Sequence, residues 1–250
     1  MPEIRIKIEQ LYKSFGTNHV LQGADIDIFD GEILFIIGKS GTGKSVMLKH
    51  ISGLLTPDSG RVLIDGEDLF DLDDENLSRV RRKMGILFQM AALFDSMTVY
   101  ENVAFTLRRF TKKKDSEIHK IVLEKLELVG LRGVENLNPS ALSQGMQKRV
   151  GLARAIAIEP QIVLYDEPTT AVDPILGAAV DDLIGTLNRE LGVTSIVISH
   201  DMKSVFRTAH RVALLHEGRF IKIGTPDEYK NSDDPAVRQF VDGVAEGPMA

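Results

Sequence analysis

Gly38-Lys39-Ser40-Gly41-Thr42-Gly43-Lys44-Ser45 decides how this chain of 250 residues is read. The stretch fits G-x-x-x-x-G-K-[ST], and the chemistry of that pattern has a physical basis. Glycines let backbone N–H groups turn inward around phosphate oxygens, where a Cβ would intrude. A helix that starts at the end of the loop points its positive end at the anion. Lys44 has the length to reach β- and γ-phosphates, and the Ser45 hydroxyl can ligate Mg²⁺. The flanks agree with this reading. Ile33-Leu34-Phe35-Ile36-Ile37 is a continuous apolar run, as in a strand covered on both faces. Residues 45–54 carry helical spacing. A plain glycine turn is the alternative, and the strand–loop–helix context argues against it.

Working outward, three more strand-like runs end in polar residues. Ile162-Val163-Leu164-Tyr165 leads into Asp166-Glu167. In an open α/β sheet, ligands bind at the carboxyl ends of strands. Asp166 is suited to hold Mg²⁺ through water, and Glu167 to orient and polarise an attacking water. An Asp-Glu-Pro turn after a core strand is the plainer reading. Ser195-Ile196-Val197-Ile198-Ser199 ends at His200, read as a γ-phosphate contact beside the structural role that a lone histidine usually has. Met84-Gly85-Ile86-Leu87-Phe88 leads to Gln89, for which a surface amide is the competing reading.

The rest of the chain fills in an architecture. Ile4, Ile6 and Ile8 alternate with charged residues, and residues 24–29 alternate again before Asp30-Gly31, which predicts half-buried strands. Residues 61–64 predict another strand ending at Asp65-Gly66. From about residue 99 to 157 the spacing is helical, with Ile118, Ile121, Val122, Lys125 and Leu126 in one group. Val212-Ala213-Leu214-Leu215 and Phe220-Ile221-Lys222-Ile223 predict a closing hairpin across Glu217-Gly218. The expected fold is α/β: a core interrupted by a helical insert, here bounded at approximately 91–160, with a C-terminal tail at approximately 226–250, all in one domain.

Composition sets limits. The net charge of −6 disfavours broad binding to nucleic acid, so Arg79, Arg81, Arg82, Lys83 and Lys112, Lys113, Lys114 read as solvated faces or loops. There is no cysteine, which removes disulfides, thiolate metal sites and thiol nucleophiles. Met1-Pro2-Glu3-Ile4-Arg5 lacks the apolar core of a signal peptide. No apolar run approaches the roughly 20 residues that span a bilayer, so a membrane role is expected to go through a partner.

These pieces in this order resemble the nucleotide-binding subunit of ABC transporters, from Ile4 to about Tyr229. The resemblance implies a phosphate-loop NTPase (RecA-like) core with an antiparallel β subdomain and a helical insert. It implies that Gly38, Ser40, Gly41, Thr42, Gly43, Lys44, Ser45 and Val46 hold ATP, with Phe15 stacked on adenine in place of a core role. Ser45, Gln89 and Asp166 would hold Mg²⁺, and Lys44, Gln89, Glu167 and His200 would serve hydrolysis. Leu142-Ser143-Gln144-Gly145-Met146 stands at the family's signature position, so Ser143 and Gly145 would contact the γ-phosphate bound by a second copy. Asp173 would lie at the seam of that head-to-tail dimer. Three departures stand out. Gln144 replaces the usual glycine and would be strained if φ there must be positive. Val46 replaces a hydroxyl residue, leaving only its backbone N–H for the α-phosphate. Val172 replaces leucine.

Two segments narrow the resemblance. Residues 88–103, with Phe88-Gln89-Met90-Ala91-Ala92-Leu93-Phe94, and residues 232–243 followed by Gly247-Pro248, are similar to the MCE-associated, Mla-type lipid transport ATPases. Residues 194–202 are similar to them too. That implies a membrane permease and an MCE-domain lipid-binding protein as partners, phospholipid as cargo, and a peripheral place on the cytoplasmic side of the inner membrane. Ala92, Leu93, Phe94 and Met97 could form a groove for a permease helix or pack in the core. Val237, Phe240, Val241 and Val244 share a helical face that could dock on a partner or fold back. The competing functions are an ABC ATPase for amino acids or ions, a non-transport ABC protein, and an unrelated phosphate-loop kinase. The single phosphate loop and the signature stretch argue against the last two.

Overall fold

The isoleucine alternation at the N-terminus starts a strand longer than its own pattern. In the computed structural model, which describes residues 2–170, 174–244 and 247–248, β1 runs Ile4–Phe15 and pairs antiparallel with β2, Asn18–Phe29. Gln10 takes φ 44, and the register shifts between Ile8 and Leu11. This bulge inverts the alternation, so Ile6 and Ile8 are buried and then Leu11 rather than Gln10. Next come β3 (Ile33–Ile37), α1 (Lys44–Ile51), β4 (Ser59–Ile64), β5 (Glu67–Asp68), α2 (Asp74–Arg81) and β6 (Met84–Leu87). The helical stretch follows as α3 (Val99–Phe110), α4 (Asp115–Leu128), a 3₁₀ turn at Pro139–Ala141 and α5 (Gln144–Ile156). The chain continues with β7 (Ile162–Asp166), α6 (Pro174–Leu191), β8 (Thr194–Ile198), α7 (Met202–Thr208), β9 (Arg211–His216), β10 (Arg219–Gly224), α8 (Pro226–Lys230) and α9 (Pro235–Asp242).

These elements form two compact units, Met1–Arg81 with Thr194–Ala250, and Arg82–Val193. In the first, β2-β1-β4-β5 make an antiparallel sheet. A second run, β10-β9-β3-β8, has β3 parallel to both neighbours, Ile36 opposite Ile198 on one side and Ala213 on the other. All five β3 residues are buried, as a strand covered on both faces requires. The expected hairpin is present: Glu217 (φ 45) and Gly218 (φ 73) form the left-handed pair that a tight two-residue turn needs. Helix α1 stops three residues short of its sequence expectation. Gly53 turns left-handed (φ 66), its N–H donates to His50 O and that of Leu54 to Lys49 O, a Schellman closure. In the tail, α9 lies against α8, with Val237 buried and Val244 exposed. The Val237 end of the apolar face therefore folds back on the chain's own unit.

In the second unit β6 and β7 are parallel, with Leu87 opposite Tyr165. Helices α3, α4 and α5 fall between them in sequence and pack on one another. Thr98 and Glu101 close a capping box at the start of α3. The expected α4 group is buried at Ile118, Val122, Lys125 and Leu126, and the Lys125 ammonium reaches Glu159 at 3.1 Å. No helix among the described residues is long and apolar enough to cross a membrane.

His50 gives this fold a pH dependence. It is fully buried on α1 and its Nδ1 donates to Val46 O at 2.7 Å. Burial holds its pKa below the ordinary histidine value, partly offset by that hydrogen bond. A depressed histidine stabilises the fold above its unfolded pKa and loses that contribution as pH falls. Melting temperatures recorded from pH 7.5 down to about pH 5 should fall less steeply for His50→Gln than for the parent chain. Parallel curves would exclude His50 as a source of the acid sensitivity.

Candidate functional site

The first unit carries the phosphate-loop half of the expected site residues. Parallel pairing of β3 with β8 makes Gly38 and His200 leave the same sheet edge. Gly38 has φ 155, and a Cβ on it would sit 2.4 Å from Leu215 O. Gly43, the N-cap of α1, has φ 101 and a Cβ there would press on Val20. Both positions therefore require glycine. The loop curls around one cation: Lys44 is buried and its Nζ donates to Gly38 O at 2.9 Å and Lys39 O at 2.7 Å. Thr42 Oγ1 donates to Lys39 O as well. Ser40, Gly41 and Ser45 are exposed and Val46 is half-buried, so hydroxyls and backbone line an open mouth over the first turn of α1. That cradle fits a polyphosphate: glycine-only backbone, a helix N-terminus, a lysine and a serine hydroxyl for a cation.

Phe15 ends β1 with half of its surface exposed and the Lys13 Nζ 5.6 Å from its ring centroid. It is no core residue, and its ring is open to stacking. His200 is exposed, directly before Asp201, whose carboxylate accepts from Lys203 N and caps α7.

The second unit gathers the carboxylates and the signature stretch. Gln89 follows β6 and Glu167 follows β7, and Gln89 Nε2 lies 3.4 Å from Glu167 Oε2. Asp166 is the last residue of β7 and is half-buried. Glu167 holds a left-handed backbone, φ 49, unusual without glycine. Thr170 Oγ1 donates to Glu167 Oε2 at 2.9 Å. Ser143 is the N-cap of α5 and accepts from Met146 N, while Gly145 is buried in the first turn. Gln144 opens α5 without positive φ, so the strain foreseen from its replacement of glycine does not arise. Asp173 and Val172 lie outside the described residues. No group of three or more candidate metal-ligating side chains occurs among the described residues.

Four residues with structural leverage here had no assigned part in the sequence reading. Lys148 Nζ donates to Pro168 O at 3.0 Å and also to Thr170 O. Arg154 donates to Ala91 O and Ala92 O, both at 2.7 Å, where two consecutive left-handed alanines follow Gln89. Burial lowers the pKa of both cations, and for Lys148 the Glu167 charge pulls the other way. Thr170 is the third. The fourth, Asn102, is buried on α3, accepts from Phe94 N, and donates to the carbonyls of Phe94, Met97 and Thr98. The available signal was a polar residue within the apolar stripe of Val99, Val103 and Leu107.

Asn102 shapes a surface rather than a core. Ala92 and Phe94 are exposed and Leu93 and Met97 half-buried, which decides against core packing for this stretch. The Phe94 and Phe105 rings meet in a tilted contact with centroids 5.0 Å apart, and an open cleft of about 290 Å³ is lined by Met97, Glu101, Phe105, Arg108 and Arg109.

Comparison with known proteins places these features. The family model described as "ABC transporter" matches residues 21–170. The chain is 42% identical, over 98% of its length and 71% of the relative's, to a probable ribonucleotide transport ATP-binding protein of Mycobacterium leprae (strain TN). It is 41% identical to the intermembrane phospholipid transport system ATP-binding protein MlaF of Escherichia coli (strain K12), covering 94% of this chain and 87% of that one. Among solved structures, a dimeric ATP-binding cassette in a post-hydrolysis state, bound to ADP and Pi, is similar with a TM-score of 0.82 and 34% identity, over 88% of this chain and 98% of that one.

Gly38→Ala tests the loop geometry. The Cβ contact with Leu215 O should abolish binding of a fluorescent ATP analogue at concentrations that saturate the parent chain, at a stability cost of about 1–3 kcal/mol. Unchanged affinity would show that the loop closes in some other way.

Proposed function

This chain belongs to the ABC transporter family, and we propose that it hydrolyses ATP to drive movement of phospholipid between membranes. Its place among ABC ATPases, and ATP as its nucleotide, follow from the family. The cargo rests on one observation: 41% identity with MlaF along nearly the whole of both chains. The exposed stretch around Phe94 supports it as a place where a permease helix could be received. The chain is read as one nucleotide-binding domain over residues 1–250, with a helical subdomain at approximately 91–160 and a tail at approximately 226–250.

The residue roles follow from the local chemistry. Lys44 and the loop from Gly38 to Val46 would hold the phosphates, and Phe15 would stack on adenine. Ser45, Gln89 and Asp166 supply the hard oxygen donors that suit Mg²⁺, which when bound would neutralise charge on the β- and γ-phosphates. Glu167 would orient the attacking water and His200 would contact the γ-phosphate. Ser143 and Gly145 would serve the nucleotide of a second copy, with Asp173 at the seam, so ATP would join two chains and hydrolysis would loosen them. The difference in dimer affinity is then the work delivered to membrane permease subunits. An MCE-type lipid-binding protein and a peripheral place on the cytoplasmic side of the inner membrane complete the reading.

A second cargo has a specific observation behind it, since the mycobacterial relative at 42% identity is named for probable ribonucleotide transport. Purifying the chain with its membrane partners and identifying bound molecules by mass spectrometry separates the two. Phospholipid and an MCE-type protein in the complex are expected; nucleotides in the permease without either would overturn the lipid reading and leave the ATPase intact. For the chemistry, Glu167→Gln should keep ATP binding and ATP-dependent dimerisation while hydrolysis falls by at least about a hundredfold. A near-normal rate in that variant would remove Glu167 from its role.

A further inference from the structure

We infer that Lys148 is a positioning residue for hydrolysis: its ammonium, held between the carbonyls of Pro168 and Thr170, fixes the segment that carries Glu167. The inference rests on the proposed role of Glu167 as the carboxylate that orients water. Lys148 sits on α5 with its side chain almost wholly buried, and its hydrogen bonds go to two main-chain oxygens rather than to a carboxylate. Burying an ammonium is costly unless its protons are satisfied, so the arrangement needs a compensating return. The two carbonyls lie one and three residues after a strained position. Glu167 is left-handed at φ 49, a conformation that persists in a non-glycine residue only where the surroundings over-determine it.

The contacts around Glu167 are connected. Lys148 holds the Thr170 carbonyl, Thr170 N donates to Glu167 O at 3.3 Å, and Thr170 Oγ1 donates to Glu167 Oε2 at 2.9 Å. One lysine thereby reaches both the backbone and the carboxylate of Glu167 through a single neighbour. The same helix is N-capped by Ser143, little more than one turn before Lys148. A displacement of the α5 N-terminus is therefore passed to the Glu167 segment through Lys148, which links the stretch proposed to read a second copy's nucleotide to the chain's own water-orienting carboxylate.

The test uses the full-length chain, with its membrane partners where they co-purify. Lys148→Met should lower kcat about 10- to 100-fold, the scale of a misplaced catalytic group, with the KM for ATP within about twofold of the parent. Lys148→Arg, which still donates to both carbonyls, should recover most of the loss. In the Glu167→Gln background, Lys148→Met should lower the residual single-turnover rate no further, because the two residues act as one unit. Lys148→Gln, a neutral donor, serves as the second variant should the methionine variant not fold. Three results overturn the inference: a parental kcat in Lys148→Met, equal losses in Lys148→Met and Lys148→Arg, or the same fold-loss in both backgrounds. Glu167→Gln with a normal rate would overturn the reading of Glu167 itself; an inactive Glu167→Gln beside an unimpaired Lys148→Met would overturn only the role of Lys148.

Discussion

Parallel pairing of β3 with β8 and β9 is the constraint on which the phosphate-loop half of the molecule depends. A parallel ladder sends every strand out at the same edge, and its interior position leaves β3 no polar residue to spare. Change of chemistry is therefore confined to the residue where pairing stops. At β3 that residue is Gly38, and at β8 it is Ser199 and then His200. The second unit repeats the rule with β6 and β7, which release Gln89 and Glu167 to within 3.4 Å of each other. Gly38, Gln89, Glu167 and His200 are far apart in sequence for this reason, and each stands within two residues of a buried strand's end.

The loops that leave those edges bend sharply, and their stabilisation follows one plan. Left-handed or irregular backbone leaves carbonyl oxygens without a ladder partner, and a buried carbonyl must be satisfied. Cations do this repeatedly: Lys44 for Gly38 and Lys39, Lys148 for Pro168 and Thr170, Arg154 for Ala91 and Ala92, Arg81 for Gly53. The charge matters because an ionised donor makes a stronger hydrogen bond than a neutral one. The cost of burial is visible in the lowered pKa values of Lys148 and Arg154. Lys148 and Arg154 both belong to α5, so one helix sets the backbone on either side of the Gln89–Glu167 pair.

Legibility in the sequence divides along the same line. Everything at a strand end could be read: the loop at Gly38 to Ser45, the carboxylates, His200, and the hairpin at Glu217-Gly218. The signal there is local, an apolar run followed at once by a polar residue. Long-range tertiary features were not readable. The bulge at Gln10 hid the part of β1 beyond Ile8 because it inverts the alternation on which strand recognition depends. Gly53 closed α1 early although the apolar spacing ran on to Leu54. Lys148, Arg154 and Thr170 carried no signal, because a cation that will bind a carbonyl looks the same in sequence as one that will face solvent. Residues 118–126 show an intermediate case: helical spacing grouped Lys125 with apolar neighbours, and the structure buries it with them.

The same division bears on what the chain moves. Relatives named for phospholipid and for ribonucleotide transport stand at 41% and 42% identity, a difference that carries no weight. The phosphate loop and the carboxylates answer to the chemistry of the nucleotide, and that chemistry is the same whatever the cargo. In the proposed reading, selectivity comes from a partner, and the chain bears on it through the surface that receives one. Phe94 and Phe105, in tilted ring contact and exposed, with Arg108 and Arg109 along the neighbouring cleft, are the surface proposed for that part. Asn102 ties the Phe94–Thr98 loop together with four hydrogen bonds, so the shape of the surface is set by the chain's own contacts. An apolar patch that is already shaped loses little ordering entropy when a partner docks on it, which is why this stretch fits the proposed receiving role.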